Sequence, residues 1–332
     1  MNTREDMGFI LVAVIWIMAI LAVLTLGFAH RSMLDQRAAA LSLDHMEATY
    51  AARGAVVYAV AELRNRAAVD AIVAQGRGEL QQQRRRTNSG RRAPVAQQIN
   101  VFQEGPDLYA EGGPFAAASE AGAGETATYR LEDAERRISL NTSPEEIFDN
   151  IEELSFTTVS AIMRRRGGDL DPNKRALFTT VEDARHLDGM DESDWEGDVD
   201  KPGLRDLLTV YGEGRININT APREVLEAIP DLDESVIGSI IAFRAGKDGT
   251  LMTEDDRGFR SLDGMSRLLG LSSEQLAPIA RYCTFESRYF TITGFATKRL
   301  GNVRAACRAV VHLQPETVRV LNWSEGHFGQ EI

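Results

Sequence analysis

A chain of 332 residues, 43% hydrophobic and 26% charged, is long enough for two cores and too apolar to remain unfolded. Its formal net charge of -12 argues against a surface that neutralises nucleic-acid phosphates and points to protein or cation partners.

The first element is apolar. From Phe9 to Ala29 the stretch FILVAVIWIMAILAVLTLGFA holds no charged residue, and at about 1.5 Å per residue it spans roughly 30 Å, the thickness of a bilayer's hydrocarbon core. A cleaved secretory signal would have a shorter core and a basic start. Here the core is longer and MNTREDM is nearly neutral. From Met33 to Val73 there is no proline and one glycine, Gly54, while Leu34, Ala38, Leu41, Met46, Tyr50, Val57, Val60, Leu63 and Val69 recur at roughly helical spacing. The helix is therefore expected to run on past the membrane and to pack one stripe of its second half on a globular domain. QQQRRRTNSGRRAP then reads as a solvated loop. Short strands are expected over 97–109 and 126–133 from alternating and β-branched residues.

Next the chain repeats itself. RISLNTSPEEIFDNI at 137–151 returns as RININTAPREVLEAI at 215–229. Asn141, Thr142, Pro144 and Glu146 fall on Asn219, Thr220, Pro222 and Glu224, an offset of 78 (219 minus 141). Arg166 and Gly168 fall on Arg244 and Gly246 at the same offset, and Phe178 and Phe259 open similar segments at an offset of 81. Each copy predicts a brief extended segment, a helix with proline at its first position, and a second helix ending at a glycine. Ser143 in the first copy and Thr220 in the second are the expected N-caps. Ile147, Phe148 and Ile151, with Val225, Leu226 and Ile229, are expected to face the core.

This unit resembles a helix-hairpin-helix, which elsewhere grips DNA phosphates. That chemistry needs turn glycines, so that backbone N–H groups can approach an anion. The second copy has Ile229-Pro230-Asp231-Leu232-Asp233-Glu234 instead. Carboxylates stand where a phosphate would dock, so nucleic acid is not an expected partner.

The start of the chain resembles a type IV pilin or pseudopilin precursor: a short leader ending in Gly8, then Phe9 opening the apolar helix. In that family a prepilin peptidase cuts after the glycine and methylates the next residue, which would be Phe9. Most members have Glu at the fifth mature position; here it is Ala13. With the Asn-Thr-Ala-Pro phrase and FRAGKDGTLMTEDDRGFRSLDGM, the chain as a whole is similar to the minor pseudopilin K family of type II secretion systems. The resemblance implies an α+β, pilin-like fold: a long N-terminal helix packed on a small antiparallel sheet, with a large inserted all-α domain of two helix-hairpin-helix-like (SAM-like) repeats. The boundaries would be a leader at 1–8, a transmembrane helix at 9–29, and pilin-like helix and strands at 30–136. The helical insertion would cover 137–283, as repeats 137–214 and 215–283, and closing strands 284–332. It further implies single-pass anchoring in the inner membrane with a periplasmic body. The partners would be other minor pseudopilins and the pseudopilus, in protein export across the outer membrane. Arg31 and Arg37 follow the helix and only Arg4 precedes it, which by flanking charge alone would leave the body in the cytoplasm.

Asp248, Glu254, Asp255 and Asp256 form the candidate ligand set. A flexible loop rich in carboxylates suits Ca²⁺, which takes oxygen donors, and the family resemblance implies calcium in the helical domain. Asp169, Asp171 and Asn173, and the run from Asp191 to Asp200, are weaker candidates. Two cysteines in an oxidising periplasm allow a Cys283–Cys307 disulfide, although a hairpin turning at 298–302 sets Cys307 opposite about Thr293. There is no H-E-x-x-H, no G-x-S-x-G and no Gly-rich phosphate loop, so neither catalysis nor a small-molecule substrate is expected.

Overall fold

The computed structural model describes residues 3–84, 102–104, 108, 124–168, 176–198, 201–251, 255–298, 302–314 and 317–326. Helix α1 (Thr3–Arg84) comes first; at about 1.5 Å per residue it is roughly 120 Å long. Residues 14–31 are exposed throughout. Among the described residues, Val14–Asn65 is the helix long and apolar enough to cross a membrane, with a mean hydropathy of 1.9 in its most apolar window.

The lower half of α1 lies on a sheet through Ala48, Ala51, Ala52, Ala55, Val56, Ala59 and Leu63, all buried and spaced by threes and fours along one face. This corrects the expected stripe. Leu63 belongs to the seam and Val60 packs at its margin, but Leu34, Leu41, Met46, Tyr50 and Val57 are exposed. The seam is built of alanine because the helix backbone descends onto Gly294, where an added Cβ would sit 2.3 Å from the carbonyl oxygen of Ala52. Bulky side chains on that face would hold the helix away.

The sheet has five antiparallel strands in the order β1-β2-β7-β8-β9. β1 (Phe102–Glu104) is a fragment of the first expected strand, and β2 (Thr126–Asp133) matches the second. β7 (Tyr289–Lys298) and β8 (Val303–Leu313) form the expected hairpin, with Cys307 opposite Gly294, one residue from the expected partner. β9 (Val318–Gly326) adds an edge strand with a bulge against Val310 and Val311. Every second residue of β2 and β7 is buried, which is how a sheet turns one face to a helix.

The helical domain hangs between β2 and β7, which are hydrogen-bonded neighbours. It is built from two closed units. The first begins with β3 (Ile138–Ser139), continues through α2 (Glu145–Asp149), α3 (Phe156–Met163), α4 (Glu192–Glu196) and α5 (Leu204–Leu207), and ends on β4 (Leu208–Thr209), which pairs parallel with β3. The second repeats the plan. β5 (Ile216–Asn217) leads to α6 (Arg223–Glu227), α7 (Glu234–Arg244), α8 (Leu262–Leu269) and α9 (Ser273–Tyr282), then to β6 (Cys283–Thr284), parallel to β5. Both units contribute to one core that includes Phe148, Trp195, Ile237 and Phe259. The expected inward trios, Ile147-Phe148-Ile151 and Val225-Leu226-Ile229, are buried.

The expected caps are not made. α2 and α6 start after Pro144 and Pro222 without a side-chain cap. Ser143 turns inward instead and accepts the Ser139 N–H at 2.9 Å. Thr220 is committed to a carboxylate on β2, described below.

Candidate assembly site

Asn141 and Asn219 explain the repeated phrase. The Asn141 carboxamide accepts the Phe178 N–H at 2.9 Å and donates to the carbonyls of Phe178 (3.0 Å) and Val210 (2.9 Å). Asn219 accepts the Phe259 N–H at 2.7 Å and donates to Phe259 (2.9 Å) and Phe285 (3.0 Å). A carboxamide has one accepting oxygen and two N–H donors, so it can clasp a loop in both directions while tying down the strand that closes the unit. The matching arginines complete each clasp: Arg166 and Arg244 donate to the carbonyls of Ser143 and Ala221, both at 2.6 Å.

Two buried carboxylates join the helical domain to the sheet. Asp133, the last residue of β2, accepts the Glu135 N–H (2.8 Å) on Oδ1. Its Oδ2 receives the Thr220 hydroxyl (2.5 Å), the Ser287 hydroxyl (2.6 Å) and the Asn217 amide (2.9 Å). Glu135 accepts the N–H of Glu213 (3.2 Å) and of Arg288 (2.6 Å). The outgoing chain, the link between units and the returning chain are thus fastened at one point. Burial pushes the proton affinity of both carboxyls up, against the pull of the donors, and the charge of Asp133 adds to the effect on Glu135. This joint was missed from sequence, because it unites positions near 133, 217 and 287 with no local pattern.

The candidate ligand residues lie in the loop after α7. Asp255 Oδ2 accepts the N–H groups of Lys247 and Asp248 (3.3 Å), and Asp248 Oδ1 accepts that of Thr250 (2.8 Å). Gly246 takes a φ of +66° against Asp255, where a Cβ would collide with the carboxylate at 2.5 Å. Asp256 faces the buried Arg244, whose guanidinium burial pushes down to about 10; neighbouring Arg136 adds to that shift and Asp256 opposes it. Glu254 and residues 169–173 lie outside the described residues, as does Asp200. Among those described, no three His, Cys, Asp or Glu side chains form a metal-holding group.

The cysteines do not pair. Cys283 is buried in the core of the helical domain and Cys307 in the core between helix and sheet, both as free thiols. A disulfide needs its Cα atoms within about 7 Å, and two separate interiors do not allow that. Burial pushes the thiols up to about 12 and about 11 respectively, so both stay protonated and inert.

Gly8 and Phe9 lie on α1, as does Ala13. The hairpin at 229–234 keeps the turn geometry that glycine often supplies, but Asp231 adopts it at a φ of 60°. Glu234 pairs with Arg223, leaving Asp231 and Asp233 to repel an anion at the start of α7.

No family model matches the chain, and no curated protein matches it. Among solved structures it is similar to a chain of the GspK–GspI–GspJ complex from the type 2 secretion system of enterotoxigenic Escherichia coli. The identity is 14%, covering 62% of this chain and 81% of that one, with a TM-score of 0.42.

Proposed function

We propose that this chain is a membrane-anchored assembly subunit, a minor pseudopilin of the K type that caps the pseudopilus of a type II secretion system. One observation carries the reading: a helix with an exposed apolar first half continues into an alanine-faced second half seated on an antiparallel sheet, whose neighbouring strands β2 and β7 bear a bulky two-unit helical domain. The first half suits a bilayer and the helices of neighbouring subunits. The bulk above the sheet suits the end of a filament. The role is mechanical, and the partners are other minor pseudopilins.

Ala13 fits the terminal position. An unpaired carboxylate within the bilayer costs up to about 3 kcal/mol, and a subunit with none above it has no partner amine for one. Ala13→Glu is expected to lengthen pseudopili and reduce export, scored by filament length and secreted protein; unchanged behaviour on both counts would remove the cap assignment. In the same membranes, the mature chain is expected to begin at Phe9 by mass, after peptidase cleavage behind Gly8.

The loop bearing Asp248, Glu254, Asp255 and Asp256 is the proposed Ca²⁺ site. Its donor set is all oxygen and suits a hard cation. Bound calcium would neutralise the carboxylates and stiffen the loop. Titration calorimetry with Ca²⁺ is expected to give heat and a higher melting temperature in the wild type, and neither in Asp248→Asn/Asp255→Asn.

A further inference from the structure

The two helical units meet along reciprocal seams. At one, α9 of the second unit lies against α2 of the first, and Arg281 donates to Glu146 at 2.7 Å. At the other, the end of α5 in the first unit lies against α6 of the second, and here the seam opens into a cleft of about 200 Å³. Its walls are tied together where Asn150 donates to the Glu227 carbonyl at 2.9 Å. The repeat makes the two seams comparable position by position. Glu224 corresponds to Glu146, and Arg281, two residues before β6, corresponds to Asp206, two residues before β4. The first unit therefore brings a carboxylate where the second brings a guanidinium.

Glu224 is thereby left without a cation. It lines the cleft half-buried, and its side chain has no hydrogen bond or ion pair among the described residues. The cations beside it are engaged: Lys201 pairs with Glu153, and Arg223 pairs with Glu227 and Glu234. Glu152 adds a further carboxylate to the rim. Beneath them lie Ile151, Leu207 and Ala228, all buried. An apolar floor under an acidic rim matches a side chain with an aliphatic stem and a charged tip. It does not match a calcium ion, which needs about six to eight oxygens around it, or a phosphate, which carboxylates repel.

We propose that this cleft receives an arginine side chain of a partner protein, whose guanidinium takes at Glu224 the place that Arg281 holds at Glu146. The counterpart seam shows what a carboxylate at this position binds. A planar fork of donors suits the two oxygens of a carboxylate better than the point charge of lysine does, and the net charge of -12 favours approach by a basic segment. The helical domain thereby gains a protein contact of its own, separate from the long helix and the sheet.

Methyl NMR spectra of the full chain in detergent, labelled at isoleucine and leucine, read the cleft through Ile151 and Leu207. The probe is N-acetyl-arginine methylamide at fixed ionic strength. It is expected to move these two methyl signals saturably, while the matching citrulline compound, which keeps the shape and loses the charge, leaves them in place. Glu224→Gln is expected to weaken the probe by about tenfold, through loss of a charge-assisted hydrogen-bonded pair. Asp206→Arg, which gives the first unit its own counterpart of Arg281, is expected to fill the cleft and abolish the response. No response to the probe, equal shifts with citrulline, the same shifts with calcium chloride at matched charge, an unchanged affinity in Glu224→Gln, or undiminished binding in Asp206→Arg would overturn the proposal.

Discussion

Gly294→Val is expected to destabilise the chain by about 3 kcal/mol, lowering the melting temperature of the full chain in detergent by roughly 6–12 °C. The reason is local. A Cβ at this position would lie 2.3 Å from the Ala52 carbonyl oxygen and 2.9 Å from Val56 Cγ2. The first of these is helix backbone, which cannot move aside as a side-chain tip would. The helix must lift, and Ala48, Ala55 and Ala59, too short to follow the sheet down, lose their contacts together. Gly238 supplies the control: within α7 an added Cβ meets nothing within 4 Å, so Gly238→Ala is expected to be neutral or stabilising by up to about 1 kcal/mol through helix propensity. Equal losses in both variants would show that the seam is not as tight as described.

The second large effect is expected at Asn219. Asn219→Ala removes one acceptor and two donors from the Phe259 and Phe285 backbone, at a cost of about 3 kcal/mol when partners are left without a bond in a partly buried site. Asn219→Asp should cost at least as much despite its identical shape, because its second oxygen would face two carbonyls. Asn141→Ala is expected to behave like Asn219→Ala, since its three bonds correspond one for one. Urea unfolding of the three variants checks this; a benign Asn219→Asp would mean that shape, not donor pattern, holds the loop.

The helical units were legible because they are local and written twice: a shared Asn-Thr-x-Pro phrase and apolar trios at i, i+1 and i+4 mark two copies of one plan. The long helix was legible from the absence of proline. Its buried face was not, because a search for bulky apolar residues at helical spacing selects Leu34, Leu41, Met46, Tyr50 and Val57. Contact with a sheet at Gly294 calls instead for alanine, whose small side chain carries little hydropathy signal. Thr220 illustrates a second limit. Its place before Pro222 marks it as a helix cap, yet a buried carboxylate 87 residues earlier claims its hydroxyl. Cys283 and Cys307 show the converse: their even number allows a bridge, the hairpin register already speaks against it, and the separation of the two cores removes it.

Because β2 and β7 are adjacent in the sheet, Asp133 must meet Phe290 across the whole length of the helical domain. Bringing those ends together from a disordered loop carries an entropic penalty that grows with loop length. Once the two units have condensed on their own short-range contacts, with Asp133, Asn217 and Ser287 gathered at one spot, the ends are already side by side. The expected order of events is thus modular: the domain matures first, and the ladder between β2 and β7 zips afterwards, once β7 itself has been made.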